Sequence, residues 1–117
     1  MRLPDEAKYD TDDINMSLNP DVADAAEAAA DPDRVLPQEN LATTKPAEAR
    51  RWVRIYAQLL SFKQRVLQAA HAKLPEVTEA AARREAVDTD LVLLEAQHSR
   101  LRRRLEFWKR RSDKLSQ

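Results

Sequence analysis

The chain has 117 residues and equal numbers of acidic and basic side chains, twenty of each, with no glycine and no cysteine. That length fits one small domain. Without glycine the positive-φ turns of β-meanders, phosphate loops and dinucleotide folds lose their usual residue; without cysteine there are no disulfides, thiolate nucleophiles or zinc–thiolate sites. The zero net charge hides a split. Residues 1–40 carry eleven acidic and three basic side chains, and residues 41–117 carry nine and seventeen. The pattern predicts an acidic tail beside a basic body. Arginine exceeds lysine, fourteen to six, which together with the alanine content suggests a high-GC bacterial genome. Met1 to Asp10 lacks a basic stretch followed by an apolar run, so no secretory leader is expected and a cytoplasmic location is. No apolar run is long enough to span a membrane.

Residues 1–45 read as a largely disordered acidic tail, because Pro4, Pro20, Pro32, Pro37 and scattered hydrophobes offer little to bury. One short helix is expected near 20–30, with Asn19 as cap, Pro20 in the first position and the alanines after it as propagators. A first long helix is predicted over about 46–73. Thr43 or Thr44 would cap it, and Trp52, Ile55, Tyr56, Leu59, Phe62, Val66, Ala69 and Ala70 form its apolar stripe. Leu74-Pro75 ends it in a tight turn.

A second helix is predicted over about 76–111, with 112–117 a frayed end. Val77, Ala80, Arg84, Val87, Leu91, Leu94, His98, Leu101, Leu105, Trp108, Ser112 and Leu115 alternate steps of three and four. Such a repeat predicts a coiled-coil seam, unbroken across Asp88-Thr89-Asp90. The fold class is therefore all-α, a long antiparallel helical hairpin. Folding it about Pro75 pairs Val66 with Arg84, Leu59 with Leu91, Tyr56 with Leu94 and Trp52 with His98. Leu105, Phe107 and Trp108 would then overhang, bare unless the N-terminal segment or another chain covers them. A second row, Val53, Leu60, Leu67 and Leu74, recurs every seven residues. It is the candidate self-association row, pairing two hairpins into a four-helix bundle; the expected partner is a second copy or another helical protein.

The segment from Arg100 to Arg111 has two readings. Arg100, Arg102, Arg103, Arg104, Lys109, Arg110 and Arg111 are candidate polyanion or partner contacts, with Phe107 or Trp108 available to stack on a base. Alternatively the cations solvate a seam helix, with Glu106 pairing Arg102 and Arg110. Glu95-Ala96-Gln97-His98 has the Glu-x-x-His spacing of di-metal carboxylate bundles, yet α-helical carboxylates to complete the set are scarce, Glu48 standing far from the level of His98. No metal or cofactor is expected, and His98 reads as a polar seam residue. Ser61, Ser99 and Ser112 lack a base and an orienting partner. The aspartates of the tail lack calcium-loop spacing.

Glu95, Ser99 and Arg102 resemble the opening of the helical repeat of actinobacterial anti-sigma factors that bind cyclic di-GMP. That repeat continues with Gln and Asp, where this chain has Glu106 and Arg110. The resemblance covers one helix and does not assign the family. The expected function is non-enzymatic: a coiled-coil interaction or regulatory module whose acidic tail competes with anionic partners for the basic hairpin. The alternative is a nucleic-acid-associated or transcription-related regulator using Arg100 to Arg111, and a di-metal helical bundle protein is the remote third reading.

Overall fold

The computed structural model describes residues 20–31 and 33–117, and over these the chain is all-α. The disorder expected for residues 1–19, and the cap expected of Asn19, lie outside the described residues. α1 runs Pro20–Ala29 and α2 runs Pro46–Lys73. A 3₁₀ turn, Leu74–Glu76, leads to α3, Ala80–Glu85. A π-helical segment, Ala86–Leu91, joins α3 to α4, Val92–Leu115. The backbone stays helical at both junctions, Ala86 and Val92.

α2 starts where Pro46 tolerates an unpaired first turn. Its N-cap is Lys45, not Thr43 or Thr44, and Lys45 makes no side-chain cap bond. The Thr43 hydroxyl works from further back: it accepts from the Lys45 N–H at 3.2 Å and donates to the Glu48 carboxylate. At the other end Pro75 and Glu76 are drawn into the 3₁₀ turn, where the Val77 N–H reaches the Leu74 carbonyl at 3.0 Å. The following helix therefore opens at Ala80 rather than 76.

α2 and α4 lie side by side and run in opposite directions. Trp52 stacks on Trp108, ring centroids 6.3 Å apart. The Lys63 ammonium donates to Gln97 Oε1 at 2.6 Å, and His71 Nε2 lies 3.7 Å from a Glu95 carboxylate oxygen. The pairing drawn from the sequence is out of register. Trp52 meets Trp108 rather than His98, ten positions further along. Two features produce the offset. Residues 77–85 project past the end of α2, with every side chain of α3 exposed. The π segment then spans Asp88-Thr89-Asp90 and holds more residues per turn than an α-helix. The repeat is thereby rephased: Ala80, Arg84 and Val87 are exposed, whereas Leu91, Leu101, Leu105 and Trp108 are buried.

The same shift gives Leu105 and Trp108 a partner. They form the core with Ala49, Trp52, Tyr56 and Leu101, and Val53, Ile55, Leu59, Leu60 and Phe107 pack around it. This end of the molecule, its base, has a third layer. Leu36 and Leu41 pack on the core, and α1 lies against α4. Residues 33–45, assigned from sequence to a disordered tail, thus form part of the packed base, with Glu39 and Thr43 buried. The opposite end, the apex, has no third layer among the described residues. From 57 to 99 the only buried residue is Leu91.

The base should therefore carry the stability. Trp52→Ala is expected to cost about 3–5 kcal/mol, as large-to-small core changes do. Phe62→Ala, at a side chain 57% exposed, should fall within about 0.5 kcal/mol of the parent. Urea unfolding followed by helical circular dichroism compares the two.

Candidate functional site

The basic segment and the base of the fold meet at one buried carboxylate. Leu36-Pro37-Gln38-Glu39 makes a tight turn, closed by the Glu39 N–H on the Leu36 carbonyl at 3.0 Å. Pro37 suits its second position, and Gln38 takes φ 70° at its third, the left-handed region that a type II turn requires and glycine enters most easily. The turn delivers the Glu39 side chain into the interior. Oε1 accepts from the Leu36 N–H at 2.9 Å and the Tyr56 hydroxyl at 2.7 Å. Oε2 accepts from Trp108 Nε1 at 2.7 Å and from the Arg104 guanidinium at 3.1 Å. Arg104 also donates to the Arg34 carbonyl at 2.8 Å. One carboxylate thereby ties the 33–45 segment to α2 and α4.

The electrostatics follow from this geometry. Burial pushes the Glu39 carboxyl up, but the Leu36 N–H, the Trp108 indole, the Tyr56 hydroxyl and the Arg104 charge outweigh it, and the net shift is downward. Tyr56 is pushed up to about 12, first by burial and then by the hydrogen bond and charge of Glu39. Both groups are held in single protonation states, a carboxylate and a phenol, across the physiological range. With its acceptor sites occupied by donors of the fold, Glu39 is a structural carboxylate rather than a general base.

The seven candidate contacts divide. Arg104 is buried and occupied as described. Arg100 is buried, 6% exposed, with Nε and Nη1 lacking hydrogen-bond partners. Arg103 is exposed but donates to Ser99 Oγ and to the Ala30 carbonyl, both at 2.6 Å. Arg111 donates to the Thr43 carbonyl at 2.8 Å and to the Ala42 carbonyl at 3.4 Å. Arg102, Lys109 and Arg110 are exposed, and no ion pair joins Glu106 to Arg102 or Arg110 among the described residues. Phe107 is half-buried and meets the Trp108 ring edge-on, centroids 5.2 Å apart. Trp108 is wholly buried, so the ring offered for base stacking is a core side chain.

The self-association row is half-buried along its length. Val53 and Leu60 lean on the core. Leu74 lines a cleft at the apex with Ala70, Val77 and Leu91. The Glu-x-x-His motif does not gather ligands among the described residues: Glu95 approaches His71 at the surface, and Glu48 holds Thr43 near the start of α2. Sequence reasoning missed Glu39 altogether. A signal existed in Tyr56 and Trp108, two seam residues whose polar tips need partners when buried.

No protein-family model, curated protein or solved structure matches this chain.

The carboxylate makes acid stability predictable in sign. A depressed folded-state value means that Glu39 stabilises the fold above its unfolded value, and that this contribution is lost as pH falls through the folded value. Acid unfolding of the parent should therefore show a component at or below the ordinary carboxylate range. Glu39→Gln should remove that component and lower stability at pH 7 by about 2–4 kcal/mol, because Arg104 is left buried without its counter-charge. Tyr56→Phe acts at the other end of the scale. The parent loses stability between about pH 10 and about pH 12 as the phenol ionises, and this variant should lose less there. Thermal melts across pH, read by circular dichroism, check both.

Proposed function

We propose that this chain is a non-enzymatic helical interaction module whose partner-binding surface is the apex half of the α2–α4 pair. One observation carries the reading: the base buries a compact aromatic core under a third layer, while residues 57–99 bury only Leu91. Val66, Leu67, Leu74, Val77, Val92, Leu93 and Leu94 are all half-exposed there. A pair of helices alone buries too little apolar surface to be self-sufficient, and the missing layer is what another helical pair would supply. A second copy of this chain fits best. In a two-fold assembly the apex of each protomer covers that of the other, giving a four-helix bundle with the two bases at its ends. A long shape, 66 Å in its largest extent, leaves room for such an overlap.

The polyanion reading has less to draw on. Of its seven cations, Arg100, Arg103, Arg104 and Arg111 are buried or bonded within the chain. Arg102, Lys109 and Arg110 remain exposed on α4, with the acidic Glu106 and Asp113 interspersed among them. Contacts of this size would give a shallow salt dependence. No candidate site described above assembles a nucleophile, base and orienting partner, which is the reason for proposing binding rather than catalysis.

Leu67→Asp tests the reading. The substitution places a charge on the surface to be covered, outside the aromatic base. Light scattering should find the parent as a dimer and the variant as a monomer at the same concentration. Emission from Trp52 and Trp108, both in the base, should be unchanged. A parent that is monomeric at tens of micromolar, with no helical protein recovered on it, would overturn the proposal.

A further inference from the structure

Between base and apex a cleft of about 290 Å³ opens beside α2 and α4. Its walls include Leu36, Leu59, Phe62 and Leu101, and its cations are Arg34, Lys63 and Arg100. No carboxylate lines it; Gln97 is its one neutral polar side chain, and Gln97 holds the Lys63 ammonium at 2.6 Å. Three positive charges therefore converge on a partly apolar cavity.

Arg100 is the unexplained group. The residue is 6% exposed, and its Nε and Nη1 have no hydrogen-bond partner. A buried guanidinium ordinarily has a carboxylate and satisfied donors, because desolvating an unpaired charge costs several kcal/mol. Arg104, one turn further along the same helix, shows the usual solution: it has Glu39 at 3.1 Å. Glu39 is already saturated by four donors. Arg100 thus lacks a counter-ion within the described fold and sits at the wall of a cavity large enough to admit one.

We propose that this cleft binds a small amphiphilic carboxylate, with its anionic head on Arg100 and its apolar body along Leu59, Phe62 and Leu101. The planar fork of a guanidinium matches a carboxylate in two parallel hydrogen bonds. Nε and Nη1 are closed to water, and an outward swing of the Arg100 side chain would bring them to the incoming oxygens. Lys63 and Arg34 add positive potential at the rim. The volume falls just under the range for drug-sized pockets, roughly 300–1,000 Å³, and suits a short acyl or aryl acid rather than a nucleotide. Phe62, 57% exposed, becomes covered when the apolar body lies against it. The head group is held beside the core residue Leu101, whereas Leu59, Phe62, Lys63 and Gln97 belong to the 57–99 stretch proposed above as the partner surface, so light scattering accompanies each titration to tell loss of the ligand from a change in self-association.

Octanoate, with octanamide as its uncharged counterpart, is the probe. Calorimetric titration of the full chain should give saturable binding of octanoate, with octanamide weaker by about tenfold or more. Arg100→Met should bring the two ligands level by weakening octanoate. It should also leave the thermal melt equal to or above that of the parent, because an unpaired buried charge has been removed. Phe62→Asp provides a second variant at an exposed position, where folding is kept; it should weaken both ligands by removing the ring on which the apolar body lies, and octanoate further by repulsion. Absence of saturable octanoate binding, equal affinity for the two ligands in the parent, or octanoate binding indifferent to Phe62→Asp would each overturn the proposal.

Discussion

The fold turns on a single buried carboxylate meeting four donors. Glu39 receives a backbone N–H, a phenol, an indole and a guanidinium, and these come from three separate stretches of chain. Hydrogen bonds to a charged group contribute about 1.5–3 kcal/mol each where the alternative is an unmet donor. The larger consequence is specificity. A purely apolar contact between α2 and α4 could slide by a turn and still bury its leucines; a phenol, an indole and a guanidinium that must share one carboxylate cannot. The register Trp52 to Trp108 is therefore held by polar geometry as much as by packing. The turn that supplies Glu39 gives up something for this: Gln38 occupies a left-handed conformation in a chain without glycine, at a cost of roughly 1 kcal/mol.

From that anchor the molecule grades from rigid to open. The base has aromatic stacking, a third layer and buried ions. The apex has two helices, an interrupting π segment and side chains mostly half in water. Stability distributed in this way leaves one end free to accept new contacts without disturbing the other, because local opening of thinly packed elements costs less than opening the core. The two proposals use this gradient differently. Self-association completes the apex, and the carboxylate cleft exploits the boundary, where a cation of the well-packed end borders a cleft.

Much of the helical layout was legible in the residues. Pro46 and Leu74-Pro75 mark both ends of α2 because proline's missing donor is tolerated at a helix start and disruptive within. The alanines after Pro20 mark α1 for similar local reasons. The pairing of the helices was not legible. A count of threes and fours runs unbroken through Asp88-Thr89-Asp90, but the backbone there widens into a π segment, and no local propensity announces that change. The turn expected at Pro75 is present as the 3₁₀ turn Leu74–Glu76, but the next helix opens only at Ala80, and the residues between move the pairing further out of register. The candidate site was hidden for a different reason. Glu39 stands in an acidic, proline-punctuated stretch that resembles a solvated tail, and its burial depends on Tyr56, Arg104 and Trp108, far along the chain. The arginines from Arg100 to Arg111 looked alike in sequence; only the packed helix separates Arg104 with its counter-ion, Arg100 without one, and Arg102 in solvent.

Hydrogen exchange of the two tryptophan indoles tests the central claim most directly, because each side-chain N–H gives its own resonance in a nitrogen-edited NMR spectrum. If Glu39 holds the register, the Trp108 indole N–H must be protected until the base unfolds, and Glu39→Gln must speed its exchange more than that of Trp52. Were the Trp108 indole to exchange with solvent as fast as an exposed tryptophan in the intact protein, the carboxylate would not be its partner and the register assigned here would be wrong.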